Sequence, residues 1–150
     1  LVPELMEAAI YHAIARNAQT HFETKGTHAM TENYSVLSPE VKELGKQAVG
    51  AFNAPFFRLL MEYDRVYVFG QAKSHCVLST LRDLQAHIAA TDPGLIDKVW
   101  ILEDCMSSVP PPPMNPLPPA LDFPRIADAA FEELKRAGMH VVKSTDPLSL

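Results

Sequence analysis

The 150 residues carry a formal net charge of −5, a pI near 5.6 and 47% hydrophobic side chains. That is apolar material for the core of one modest domain, and it sets the chain apart from disordered ones. The acidic balance, with no basic run, argues against nucleic acid or an anionic membrane surface as partner, and no apolar stretch reaches the roughly 18 residues of a spanning helix. Two cysteines make no disulfide framework and fit a reducing, cytoplasmic setting.

The chain opens Leu1-Val2-Pro3, without Met, which raises the expectation of a fragment. Residues 4–16 place apolar side chains at 5, 6, 9, 10, 13 and 14, a helical spacing with a broad stripe to bury. Residues 20–24 read as a short strand broken by Lys25-Gly26-Thr27, and residues 27–37 as an irregular loop. Ser38-Pro39-Glu40 has the form of a helix start, with Ser as cap, Pro in the first turn and an acid beside it. That helix is expected to end near Gly50. A second amphipathic piece spans 55–63.

An apolar run at 65–69 then reads as a buried strand, followed by a helix over 75–90 with Val77, Leu81, Leu84 and Ile88 on one face. Asp92-Pro93-Gly94 marks a turn. Residues 98–103 form a second buried strand. Residues 107–119 hold seven of the thirteen prolines, and residues 110–113 must be extended, polyproline-like backbone. Such a loop is a functional rim, a partner arm or a passive surface crossover. Asp122 caps a third helix over 123–137, which Gly138 ends, and 140–143 is a last strand. Alternating strands and helices imply right-handed crossovers and a parallel sheet covered on both faces. Ligands of such sheets bind beyond the carboxyl ends of the strands. Lys25, the turn from Gly70 to Cys76, and Asp104-Cys105 each follow an expected strand.

Cys76 stands out among these. A thiol in the first turn of a helix meets free backbone N–H groups and the positive end of the dipole, and both favour negative sulfur. Cys76 is therefore a candidate nucleophile, against the common alternative of a buried structural thiol. Gly70 lets backbone approach a ligand, and the Ala72 and Cys76 amides are candidate oxyanion donors. Lys25 is either a solvated surface lysine or a cation that holds a thiolate. Tyr34, Ser35 and His75 are candidate pocket or rim residues. Cys105 either packs or forms a redox pair with Cys76. The six histidines show no metal-ligand spacing, and neither a dinucleotide nor a P-loop glycine pattern occurs.

Three segments together resemble the isochorismatase-like cysteine hydrolases, the superfamily that includes nicotinamidases. Val68-Phe69-Gly70-Gln71-Ala72-Lys73-Ser74-His75-Cys76-Val77, followed by Thr80, is similar to the family's nucleophile segment. Thr24-Lys25-Gly26 with Tyr34-Ser35 is similar to its lysine segment, and residues 99–107 to the following strand with its Asp. The final helix and Gly138-Met139-His140-Val141-Val142 are similar to its C-terminal helix and strand. The resemblance implies a three-layer α/β/α, Rossmann-like fold and hydrolysis of a small amide or related C–N bond. By it Cys76 is the nucleophile, Lys25 the triad lysine and Gln71-Ala72 a cis peptide bond. It also implies a triad aspartate on a first strand ahead of Lys25, where this chain offers only Glu4 and Glu7 on a helix. The metal ligands of some members belong to the same upstream part; none is expected within this chain. The expectation is a C-terminal portion completed by an N-terminal fragment, with an exposed apolar sheet edge when alone, a small-molecule substrate and a homo-oligomeric state. A member that only binds or assembles, without hydrolysis, is the alternative.

Overall fold

A computed structural model describes residues 2–147. Helix α1 (Pro3–Arg16) begins with Pro3 in its first turn and ends on Asn17 in the left-handed conformation (φ 47°), whose N–H reaches the carbonyls of Ala13 and Ile14. Asn is suited to that cap. The expected burial of its stripe is not found: no residue of α1 is buried, and Ile14 is 77% exposed. The spacing was right for a helix, but no described surface packs on the stripe.

Residues 20–24 form no strand. A strand requires a hydrogen-bonding neighbour, and this stretch is held by side chains instead. His21 stacks on Phe56 with ring centroids 5.8 Å apart, and Asn53 donates to Glu23 at 3.3 Å.

The helix expected from Ser38 is replaced by a hairpin, β1 (Glu43–Leu44) and β2 (Gln47–Ala48). Its two-residue turn has Gly45 at the first central position with φ +64°, where only glycine is unstrained. The cap signal fails because the Ser38 hydroxyl is buried without a hydrogen-bond partner among the described residues, while the Ser38 N–H and the Glu40 carboxylate are engaged elsewhere. The Ser35 hydroxyl takes the N–H groups of Leu37 and Ser38, and the Glu40 carboxylate turns back to the Tyr34 N–H at 3.1 Å. The four hairpin residues are exposed, so no apolar stripe supported a helix there. Helix α2 (Ala54–Met61) follows, with the Asn53 side chain accepting from the Phe56 N–H and Phe57 buried.

The second half matches its reading closely. Strands β3 (Val66–Val68), β4 (Val99–Leu102) and β5 (His140–Val142) form a parallel sheet in that order. Helix α3 (Leu78–Thr91) connects β3 to β4, and α4 (Phe123–Arg136) connects β4 to β5. The two helices pack against each other and on one face of the sheet. That face buries Val99 and Ile101 against Leu81, Leu84, Ile88, Phe131 and Leu134, all 3% exposed or less. On the other face Tyr67, Trp100 and His140 align in register across the three strands, with Trp100 and His140 stacked at 4.2 Å. The Asp122 side chain caps α4 by accepting from Arg125, and Gly138 (φ +110°) releases the chain into β5. No helix among the described residues is long and apolar enough to cross a membrane.

Candidate active site

β3 ends at Val68 and the chain turns sharply. Gly70 takes φ +142°, a conformation that disfavours any side chain, and the Gln71–Ala72 peptide is cis. One wide π-turn, Lys73–Val77, then precedes α3, closed by the Val77 N–H donating to the Ala72 carbonyl at 3.2 Å. Cys76 lies in this turn, so the helical conformation begins slightly earlier than the expected residue 75. Cys76 is half-buried and its thiol is free. The Ala72 N–H donates to no acceptor among the described residues.

The turn is braced from outside. The Lys73 N–H donates to the Ser107 carbonyl at 2.9 Å, and the Gln71 amide donates to the Ser107 hydroxyl at 3.3 Å. The Lys73 ammonium pairs with Asp128 of α4 at 2.7 Å and sits 4.6 Å above the Phe131 ring. The Thr80 hydroxyl donates to the Cys76 carbonyl at 2.8 Å and accepts from the Val36 N–H at 3.3 Å. One hydroxyl thus ties the cysteine turn to the lysine loop.

Lys25 is on that irregular loop rather than at a strand end, yet it reaches the cysteine. Its Nζ donates to Cys76 Sγ at 3.1 Å, to the Tyr34 carbonyl at 2.7 Å and to the Asn33 carbonyl at 3.0 Å. Two residues 51 positions apart are thus joined by a charge-assisted contact. The loop is fixed below them by Ser35 and Leu37, 2% and 1% exposed.

A cavity of about 340 Å³ opens beside the pair, within the size range of small-molecule sites. Lys25, Tyr34, Phe56, Phe69, Gln71 and Cys76 contribute to its wall, and β3 lends its free edge. Lys25 also lines a second cavity of about 310 Å³ on the side of Thr24, His28 and Asn53, which lacks Cys76. Tyr34 lies on the wall of the first cavity. His75 does not line the cavity beside Cys76; its ring contacts Tyr34 at 5.7 Å and Phe123 at 5.0 Å, and its Nδ1 lies 2.9 Å from the Ser74 hydroxyl. Adjacent residues in a helical turn diverge, which explains the separation.

Asp104 and Cys105, beyond β4, do not join the pair. Cys105 is exposed, with its sulfur 3.8 Å from Asp104. Asp104 accepts from the Ser144 hydroxyl at 2.7 Å and its N–H at 2.8 Å, which holds its carboxyl below the usual carboxylate range. It fastens the end of β4 to the segment after β5. Among the described residues no carboxylate hydrogen-bonds Lys25 or Cys76, and no group of three or more His, Cys, Asp or Glu is placed to hold a metal.

Ser107, Ser74, Asp128 and the bridging role of Thr80 were not found by sequence reasoning. Thr80, four residues after the cysteine, carries a usable signal, since a helical Thr can bond the carbonyl four residues back. The others lie 34 to 55 positions from their partners, beyond any local pattern. No family model, curated protein or solved structure matches this chain.

Proposed function

We propose that this chain is the nucleophile-bearing part of a cysteine hydrolase acting on a small amide or related C–N bond. The observation that carries the reading is the Lys25 ammonium at 3.1 Å from Cys76 Sγ, on the wall of a small-molecule-sized cavity. The Ala72 N–H, which donates to no acceptor among the described residues, adds support. The proposal includes the wider fold, a three-layer α/β/α, Rossmann-like domain in a reducing, cytoplasmic setting, assembled as a homo-oligomer.

The thiol proton passes to a carboxylate base, and Lys25 stabilises the sulfur anion. Sulfur bonds to the carbonyl carbon while the Ala72 and Cys76 amides receive the oxyanion. The C–N bond breaks, nitrogen takes the proton held by the base, and ammonia or an amine leaves. Water then attacks the thioester, releasing the acid and restoring the thiol. The base is assigned to an aspartate on a complementary N-terminal segment lying along the free edge of β3, with any metal ligands on that same segment.

The test is Cys76→Ala in the assembled enzyme, with ammonia release measured over a panel of small primary amides. Turnover is expected to vanish with the fold unchanged by circular dichroism; normal turnover refutes the assignment. A second reading, a binding or assembly module without hydrolysis, is favoured by the lack of a carboxylate hydrogen-bonded to the Lys25–Cys76 pair among the described residues. Alkylation separates the two. A hydrolase gives a Cys76 that reacts much faster than Cys105 near neutral pH, and a binding module gives two slow thiols.

A further inference from the structure

We propose that Lys73 is a positioning residue, through which α4 fixes the direction of the Ala72 N–H as an oxyanion donor. The inference rests on the reading of Cys76 as a nucleophile toward a carbonyl, and it adds what keeps the donor in place. Ala72 stands between two peptide groups. The one after it is held on both sides. Its carbonyl accepts the N–H groups of His75 at 3.1 Å and Val77 at 3.2 Å, and its N–H, that of Lys73, donates to the Ser107 carbonyl at 2.9 Å. The one before it carries the Ala72 N–H, which donates to no acceptor among the described residues. Only the two torsions of Ala72, φ −104° and ψ 149°, separate the held group from the free one. The direction of the free N–H therefore follows from the hold on its neighbour.

Lys73 ties that hold to the body of the fold. Its side chain is 15% exposed, with Nζ 2.7 Å from the Asp128 carboxylate and 4.6 Å from the centre of the Phe131 ring. Asp128 and Phe131 are three residues apart on α4 and so share a face of it. Phe131 is itself part of the buried core. A lysine so little exposed needs a partner for its charge, and the carboxylate and the ring supply one. The Asp128 side chain is 68% exposed, which makes the pair a weak source of stability. Its effect is on geometry: α4 holds the side chain of residue 73 while Ser107 holds its main chain. Lys25, not Lys73, is the cation bonded to the sulfur. The two lysines thus divide the site, one serving the thiol and the other the oxyanion donor.

Reversible addition of an aldehyde tests the donor without a base or a leaving group. Sulfur bonds to the carbonyl carbon, the π pair moves to oxygen, and the thiol proton ends on that oxygen, beside the Ala72 and Cys76 amides. Isotope-labelled benzaldehyde is titrated into the full chain carrying Cys105→Ser, and the thiohemiacetal at Cys76 is followed by carbon NMR. Alkylation by iodoacetamide, which forms no oxyanion, is measured in parallel. Lys73→Met should weaken the aldehyde adduct by about tenfold, the scale of a donor misplaced rather than removed, and keep the alkylation rate within about twofold. Asp128→Asn, at an exposed position, should weaken the adduct in the same direction, and circular dichroism should show the parent fold. An adduct undiminished in either variant overturns the proposal and leaves the reading of Cys76 standing. So does a loss of adduct and of alkylation in equal proportion, the mark of a turn that has merely loosened. A parent adduct no tighter than that of a free thiol in solution overturns both this inference and the assigned oxyanion donors.

Discussion

Replacing Lys25 by Met removes one charge and keeps most of the stem. The Nζ–Sγ distance of 3.1 Å sets the scale of the loss. Two unit charges at that separation attract by about 1.3 kcal/mol at the dielectric constant of water and about 5 kcal/mol at an effective value of 20. Lys25 is an exposed residue, so screening pulls the figure toward the lower end. A loss of 1.4 to 2.8 kcal/mol corresponds to roughly a 10- to 100-fold slower reaction of the sulfur. Intact-mass kinetics of alkylation by iodoacetamide at neutral pH would measure it, with the exposed Cys105 as internal reference. Cys76 should lose reactivity in Lys25→Met while Cys105 keeps its rate. Raising the salt concentration should slow Cys76 in the parent chain and change little in the variant. A Cys76 rate within twofold of the parent would refute the electrostatic role of Lys25, whatever the distance between the atoms.

Thr80→Val should leave the Val36 N–H without its partner and destabilise the chain by about 1–3 kcal/mol, read from urea unfolding. It should also slow Cys76 alkylation, because the lysine loop and the cysteine turn lose their common tie; an unchanged midpoint and rate would count against the bridge. Asp104→Asn tests the Ser144 contact through pH. A carboxyl held below its ordinary value stabilises the folded chain above about pH 4 and loses that contribution as pH falls through the folded value. The parent should therefore be more stable than Asp104→Asn at pH 7 and lose that advantage near pH 2. An equal gap at both pH values would contradict it.

What was readable from the residues divides near residue 53. Beyond it, strands of β-branched residues, the Asp122 cap and Gly138 are local signals that the core then reinforces, so β3 to β5 and α2 to α4 fall close to where the pattern put them. Before it, local signals compete with side chains from elsewhere. Ser38-Pro39-Glu40 is a good cap taken alone, but the Ser38 hydroxyl is buried without a partner among the described residues and the Glu40 carboxylate turns to the Tyr34 N–H. The stripe of α1 fixed the helix but not its surroundings, since periodicity says which side wants burial and not what covers it. At the site, Cys76 announced itself by its turn, whereas the strand over 20–24 that was expected to carry Lys25 to the same sheet edge does not form, and the lysine reaches the sulfur from an irregular loop.

An ammonium group has three hydrogens and no lone pair to offer. At Lys25 all three are spoken for, by two loop carbonyls and one sulfur. A ligand entering beside Cys76 therefore finds no spare donor on this lysine, and can gain one only by detaching the Asn33 or Tyr34 carbonyl. Recognition of a ligand's oxygen falls to the main chain of the cysteine turn, while the lysine is reserved for the sulfur. The same saturation fixes the head of the side chain like a tripod. Its charge stays aimed at one atom, and any substitution that changes the number or angle of its hydrogens, arginine included, must also rebuild the loop that holds it.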